Sequence, residues 1–419
     1  MAFLYGKAFH IQNGGSMKYL IVLADGAGGE PIEALGGKTT LEAADMKYTK
    51  ELAAKGQVGM VQTIPTGCAP GSDAGNLSVM GYDPAVYLTG RSPLEAASIG
   101  IDMEDTDVSF RVNVITLTGE GEYEDLIITD HSSGEITTPE ADKLIKALQA
   151  EFQNDEIQLY TGVSYRHCMI WKNGTTELEF TPPHDVLGQR VGDNLPKGEH
   201  ADMFINMMKK SYDILKDHPV NKDRIARGLN PANSMWIWGE GRKPKLSSFK
   251  DKFGITGAAI SAVDLIKGIA ICAGLDSIDV EGSTGTLNTN YEGKADAALA
   301  AFREGKDFVY VHLEGPDECG HQGDAEGKVL SLERIDDKIV KPIVEGLKAD
   351  GEDFRFLIVP DHRTPIAVRT HTPEPVPFVL YDSTDEKPYD DTRAFNETSG
   401  STGSKFGSGY ELADYFFEK

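Results

Sequence analysis

Residues 307–324 read DFVYVHLEGPDECGHQGD, an apolar, strand-like run that ends in side chains suited to hard or borderline cations. If Pro316 opens a helix, Asp317 and His321 stand four residues apart on one of its faces. The plan recurs in FLIVPDHRTP, where Asp361 and His362 follow the run 356–359, and in KYLIVLADG, where Asp25 follows the run 19–24. Each run delivers a carboxylate at its C-terminal end, the edge at which open parallel α/β sheets hold their ligands. The expectation is an α/β fold with a mostly parallel sheet, on which Asp25, Asp317, His321, Asp361 and His362 converge in one polynuclear metal site.

A chain of 419 residues with 40% hydrophobic content can bury a large core and should divide into two unequal domains. No run of eighteen apolar residues occurs, so no membrane partner is expected. The formal charge of −25 argues against nucleic acid and anionic lipid as partners. It leaves room for a small anionic substrate, because metal ions and a few buried Arg can reverse the sign locally. Cys68, Cys168, Cys272 and Cys319 form no C-x-x-C pair and read as reduced, cytosolic thiols. Residues 1–16, ending in Gly-Gly-Ser before Met17, read as an expression scar.

After Asp25, the segment TTLEAADMKYTKELAAKG has helical spacing, with Thr40 as its cap and Gly56 as its stop. A short strand, VGMVQTIP, leads into the loop TGCAPGSDAGNLSVMGYDP. Small residues let backbone N–H groups approach an anion there, and Ser72 is placed to be a nucleophile. The spacing equally fits Ser72 as the N-cap of a helix over 73–80, and the two readings are compatible, since a helix N-terminus also favours a phosphate. Cys68-Ala-Pro-Gly-Ser72 approaches the sulfatase signature C-x-P-x-R, but Ser stands where that chemistry needs Arg.

From about Val108 the texture changes to alternating runs such as SFRVNVITL and IQLYTGVSYRHCMIW, with helices near 140–152 and 201–215. This block reads as an inserted α+β domain over 108–227, between metal-domain segments 17–107 and 228–419. Arg111, His131, Arg166, His167, His184, Asp185 and Arg190 are polar anchors in it. Any one of them has a bland role as a surface or core-satisfying residue, but a set of Arg and His in so acidic a chain points to anion recognition. Further on, MWIWG reads as a strand returning to α/β texture, ITGAAISAVDLIKGIAICAG as a helix stopped by Gly274, and TNYEGKADAALAAFREG as another helix. Trp236 and Trp238 read as core residues. His371, close after the Asp361-His362 pair, is a ligand candidate.

Taken together, LADG, PGSDAGNLSVMGYDP, TGRSPLEA, FRVN, VSYRHC, ANSMWIWGEG, HLEGPDECGHQGD and PDHRTP…HTPEPVPF resemble the archaeal-type cofactor-independent phosphoglycerate mutases of the alkaline phosphatase superfamily. The resemblance runs from Met17 to the C-terminus. It implies an alkaline-phosphatase-like, mostly parallel sheet flanked by helices, and interconversion of 2- and 3-phosphoglycerate through a phosphoserine at Ser72 without 2,3-bisphosphoglycerate. It further implies one divalent metal on Asp25, Ser72, Asp361 and His362 and another on Asp317, His321 and His371. One departure is Arg363, where a small hydroxyl residue is expected after the Asp-His pair.

Independent chemistry agrees with this resemblance. Coordination to a divalent cation lowers the pKa of a serine hydroxyl, and a second cation can offset phosphoryl charge. Mixed Asp and His ligands suit Mn first, with Zn, Co and Mg as alternatives. The phosphoserine must be kept from water while glycerate reorients, a task for the inserted domain. Arg91, Arg111, Arg166 and Arg190 are the expected substrate-binding residues, and His131 and Asp185 the expected acid/base groups. The substrate would be a small phosphorylated anion, the location the cytoplasm, and the oligomeric state open between monomer and homo-oligomer. A related phosphomonoesterase or phosphomutase is the alternative enzyme; a non-catalytic metal-binding protein would make the coincidence of these residues accidental.

Overall fold

The computed structural model describes residues 17–418; the stretch 1–16, expected to be an expression scar, lies outside the described residues. The chain forms two compact units. The first comprises the chain up to Gly81, Phe249–Ala262 and Asp276 onward; the second comprises Tyr82–Ser248 and Val263–Leu275. In chain order the first unit opens with strands β1 (Lys18–Ala24) and β2 (Gln57–Val61). The second unit supplies β3 (Val108–Thr118), β4 (Ile127–Asp130), β5 (Ile157–Val163), β6 (Arg166–Trp171), the short β7 (Leu178–Glu179) and β8 (Lys197–Gly198), and β9 (Ser234–Arg242). The first unit then resumes with β10 (Gly257–Ile260), β11 (Asp276–Ile278), β12 (Phe308–Leu313), β13 (Phe354–Val359), β14 (Val376–Asp382) and β15 (Ser404–Phe406).

The first unit is built on an eight-stranded sheet of order β11-β10-β12-β1-β13-β14-β2-β15, parallel except for β14. Every residue of β1 is buried, which is why KYLIVLA reads as a nearly continuous apolar run with no alternation. One face of the three central strands packs Leu20, Val22, Val309, Val311, Phe356 and Ile358 against the helices Tyr291–Arg303 and Ala325–Ile335. Register then places the site. Leu23 lies opposite both His312 and Val359, so the C-terminal ends of β1, β12 and β13 finish level. The acidic residues that follow these strands therefore emerge at one sheet edge.

In the second unit the long strand β3 pairs antiparallel with β4, β6 and β9, and β6 with β5. Helices Thr138–Phe152 and Ala201–Leu215 bury Leu144, Ile145, Leu148, Phe204 and Met208 in a core with Phe110, Val112 and Trp236.

Several sequence expectations change. The second unit is larger than 108–227, because β9 joins β3 by hydrogen bonds rather than returning to the parallel sheet, which brings Trp236 and Trp238 with it. The helix Asp264–Cys272 also belongs there: Gly268 packs so tightly on the helix Ser92–Ser98 that a Cβ at 268 would lie 1.9 Å from the Leu94 carbonyl oxygen. The single helix expected over 255–274 is a strand followed by a helix, since the four buried residues GAAI fill the parallel slot between β11 and β12. The helix expected after residue 39 breaks into Thr40–Ala43 and Lys47–Lys55, and Thr39, not Thr40, caps it through a reciprocal pair of hydrogen bonds with Glu42.

A candidate metal centre with a serine at its edge

Asp25 follows β1 directly, and its backbone N–H still donates to Leu313 of β12, so the carboxylate is set by the sheet rather than by a loop. Asp361 and His362 follow β13 after Pro360 and are fully buried. Asp361 is fixed at both oxygens: Oδ1 accepts from the backbone N–H of Gly26 at 3.1 Å and of His362 at 3.0 Å, and Oδ2 accepts from Asn76 Nδ2 at 2.8 Å. His362 Nε2 lies 3.4 Å from Asp361 Oδ2, 3.5 Å from Asp25 Oδ1 and 3.2 Å from Ser72 Oγ.

Ser72 is the first residue of the helix Ser72–Val79, with Gly71 at the cap position and no side-chain capping bond. The N-cap role weighed for Ser72 is therefore not the one observed; its hydroxyl faces His362 instead. The helix comes this close because residue 75 is glycine: a Cβ there would lie 2.5 Å from the Asp361 carbonyl oxygen and 2.7 Å from Asp361 Cβ.

The helix Gly315–Gln322 begins with Pro316 in its first turn, and Asp317 and His321 do share a face, with Oδ2 and Nε2 3.2 Å apart. His371 completes this group, its Nε2 lying 3.0 Å from His321 Nε2 and 3.5 Å from Asp317 Oδ1. His321 Nδ1 is 3.0 Å from the carbonyl of Arg369, a residue held at φ 58, and that bond leaves Nε2 turned toward Asp317. Burial pushes the Asp317 carboxyl up, but hydrogen bonds from His321 and His371 outweigh it and leave it well below the usual range. Through the same bond with Asp317, His321 is raised to about 9. The two groups meet at His362, whose ring stacks on His371 at 4.0 Å; Asp25, Asp361 and His362 form one set with metal-compatible spacing, and Asp317, His362 and His371 another.

These residues fit divalent cations. Asp25 Oδ1 is buried with no hydrogen-bond partner, and burial followed by the charges of Asp361 and Asp317 pushes its carboxyl well above the ordinary value. An acidic cluster so desolvated calls for positive charge. Carboxylate oxygen mixed with imidazole nitrogen is a donor set for first-row divalent ions.

Four supporting residues were not singled out from the sequence. Thr364 Oγ1 donates to Asp317 Oδ1 and lies 3.3 Å from His362 Nδ1, so the hydroxyl expected at 363 stands one position later. Arg363 instead donates to Glu30 and to the Pro375 carbonyl. Lys328 is buried and donates to the carbonyls of Gly26, Gly28 and Thr364, tying the loop after β1 to the loop after β13. His312 and Asn76 contact Asp25 and Asp361. A strand-parity argument could have flagged His312, a polar residue inside a buried apolar run.

Within the second unit, Arg111 on β3 pairs with Glu95 at 2.9 Å and stacks over Trp238 at 4.3 Å. Arg91 and Arg166 are near enough to act electrostatically on Arg111, and Arg91 and Arg111 on His184. His131 lies 6.1 Å from His184 ring to ring, and its Nδ1 is buried without a hydrogen-bond partner. Asp185 is exposed, 3.6 Å from His184 Nε2. Arg190 stands elsewhere, paired with Asp125 at the surface.

Fold and site define a class: an α/β enzyme whose parallel strands bring a carboxylate–imidazole cluster of metal-compatible spacing and a helix-terminal serine to one sheet edge. The chain is 49% identical to a probable 2,3-bisphosphoglycerate-independent phosphoglycerate mutase of Geobacter sulfurreducens over 87% of this chain and 90% of that one. It is 47% identical to a protein of that name from Methanosarcina barkeri, over 93% and 96% of the two chains. Residues 53–221 match the model of the 2,3-bisphosphoglycerate-independent phosphoglycerate mutase family. The chain belongs to this family, in its archaeal type. Its structure is similar to that of a Pyrococcus horikoshii protein (TM-score 0.79, 28% identity, 97% and 99% of the chains) and of the cofactor-independent phosphoglycerate mutase of Thermoplasma acidophilum (TM-score 0.66, 25% identity, 96% and 98%).

Proposed function

We propose that this chain interconverts 3-phosphoglycerate and 2-phosphoglycerate in glycolysis and gluconeogenesis, through a phosphoserine at Ser72 and with two divalent cations, Mn first among them. The observation that carries this reading is the position of Ser72 Oγ, 3.2 Å from His362 Nε2 at a helix N-terminus, beside the unpartnered Oδ1 of Asp25. Asp25, Ser72, Asp361 and His362 would hold one cation, and Asp317, His321 and His371 the other. When bound, the cations would lower the pKa of the serine hydroxyl and offset phosphoryl charge. The helix N-terminus at Ser72 adds backbone N–H groups that favour the phosphoryl oxygens. Arg91, Arg111 and Arg166 would recognise the anionic substrate, with bidentate hydrogen bonds to carboxylate or phosphate. His131 would serve in proton transfer, with Asp185 as the alternative.

No helix among the described residues is long and apolar enough to cross a membrane. The proposed location, the cytoplasm, follows from the proposed small phosphorylated substrate. The deciding experiment incubates the protein with Mn²⁺ and 3-phosphoglycerate, without 2,3-bisphosphoglycerate, and follows 2-phosphoglycerate and inorganic phosphate together. Accumulation of 2-phosphoglycerate is the expected result. Release of phosphate alone would make the protein a phosphomonoesterase and overturn the mutase reading.

A further inference from the structure

Strand β12 is buried on both faces, yet two of its six residues are polar-tipped. Val309, Val311 and Leu313 face the hydrophobic core beneath the sheet, which puts Tyr310 and His312 on the opposite face, two residues apart. A hydroxyl or imidazole in such a place is costly unless it is hydrogen-bonded. Both are, and both bonds lead to the same metal-compatible set. His312 Nε2 lies 2.8 Å from Asp25 Oδ2, and its Nδ1 lies 3.1 Å from Ser261 Oγ on the other side. With Asp25 ionised, as a cation's ligand must be, Oδ2 can only accept, so Nε2 carries the proton, and the Ser261 hydroxyl holds the ring from behind. Tyr310 donates to Asn76 Oδ1 at 2.6 Å, and the amide of Asn76 donates to Asp361 Oδ2 and to the Ser72 carbonyl, both at 2.8 Å.

We propose that β12 carries the positioning residues of the Asp25–Asp361 set: His312 orients Asp25 directly, and Tyr310 orients Asp361 through Asn76. The consequence is visible at Asp25, where His312 occupies Oδ2 and leaves Oδ1 as the buried oxygen with no hydrogen-bond partner. A carboxylate has a broad, two-fold terminal torsion, so without such a bond it would not hold one oxygen toward the site. Partners of metal ligands typically change metal affinity 10–100-fold when removed. The Asn76 amide also fixes the backbone of Ser72, so the relay from Tyr310 sets the carboxylate and the serine together.

This proposal rests on the reading that Asp25 and Asp361 hold a divalent cation, and the test separates the two. Chelator-stripped full-length protein is titrated with Mn²⁺ alone, and bound metal is followed by calorimetry and by the electron paramagnetic resonance of free Mn²⁺. Asp25→Asn marks the affinity belonging to this set, and Asp317→Asn marks the other. In His312→Phe the affinity marked by Asp25→Asn should fall by about 10–100-fold, while the other stays within about twofold of wild type. Tyr310→Phe should lower the same affinity by a smaller factor, and Ser261→Ala likewise. His312→Gln, whose amide can still donate to Asp25, should recover most of the loss. Tyr310→Phe and Ser261→Ala keep the test open should His312→Phe fail to fold. Wild-type affinity at both sites in all three of these variants would overturn the proposal, as would His312→Gln binding as weakly as His312→Phe. Wild-type protein that binds no Mn²⁺ would instead overturn the two-cation reading beneath it.

Discussion

At the scale of single residues, Ser72 is where fold and chemistry separate most cleanly. Its hydroxyl makes no capping bond, so Ser72→Ala removes little from the folded state, within about 0.5 kcal/mol. Loss of a nucleophile, by contrast, typically lowers turnover by a factor on the order of 10³ or more. We expect a protein with unchanged thermal midpoint that forms no phosphoenzyme, and normal isomerisation in this variant would remove Ser72 from the mechanism. His321, His371 and His362 can be ranked in the same way. His321→Ala and His371→Ala should weaken one cation and His362→Ala chiefly the other, checked by the stoichiometry and affinity of bound Mn²⁺. The shared position of His362 between the two sets predicts that its variant also perturbs the His371 cation, an effect His321→Ala should not have on the Asp25 set.

Among the elements, the helix Ser72–Val79 is packed against the site with little tolerance. The distance from residue 75 to the backbone of Asp361 leaves no space for a methyl group, let alone a branched side chain. Gly75→Val should push the helix from β13, costing about 1–3 kcal/mol and separating Ser72 from His362; a variant with full activity and an unshifted melting temperature would count against that packing. On β6, His167 is buried with Nδ1 accepting from the Gly162 N–H, and burial lowers its pKa to about 3. Unfolded, it titrates near 6.5. The depressed folded value means that the unfolded chain binds the extra proton first. The stability held by neutral His167 is therefore complete above about 6.5 and is lost as pH falls toward 3, by about 1.4 kcal/mol per unit. Denaturant midpoints of wild type and His167→Gln between pH 7 and pH 4 should converge; parallel curves would assign the acid sensitivity to other groups.

For the whole molecule, the proposed function assigns metal chemistry to the first unit and anion recognition to the second. The first is acidic and cation-demanding; the second collects Arg91, Arg111, Arg166, His131 and His184. If this basic set holds glycerate while the phosphoserine waits, then Arg111→Ala or Arg166→Ala should lower mutase turnover and raise the ratio of free phosphate to isomerised product. Arg111 is the stronger test, because its guanidinium is already fixed by Glu95 and Trp238 and loses little freedom on binding. Measuring both products in each variant decides the matter, and an unchanged ratio would sink the shielding role. Chelation should silence the enzyme reversibly, and Mn²⁺ should restore it better than Ca²⁺, since His321, His362 and His371 are imidazole donors.

The sequence by itself determined the parallel strands and the candidate ligands at their ends. Buried parallel strands must be continuous apolar runs, and a charged residue directly after such a run can only emerge at the sheet edge; Asp25, Asp361 and His362 could therefore be read in place. The pair Asp317 and His321 was legible for a related reason, the four-residue helical spacing after Pro316. What only the tertiary structure decided is everything that depends on register and close approach between distant segments. Local pattern could not tell that β9 would pair with β3, that GAAI would take a slot beside β12, or that Gly75 would lie against Asp361. Nor could it tell that His312 would meet Asp25 across 287 residues of chain. A buried imidazole in an apolar run looks the same in sequence whether it satisfies a carbonyl or orients a ligand. The difference lies in which strand end stands level with its own, and that is fixed only when the sheet closes.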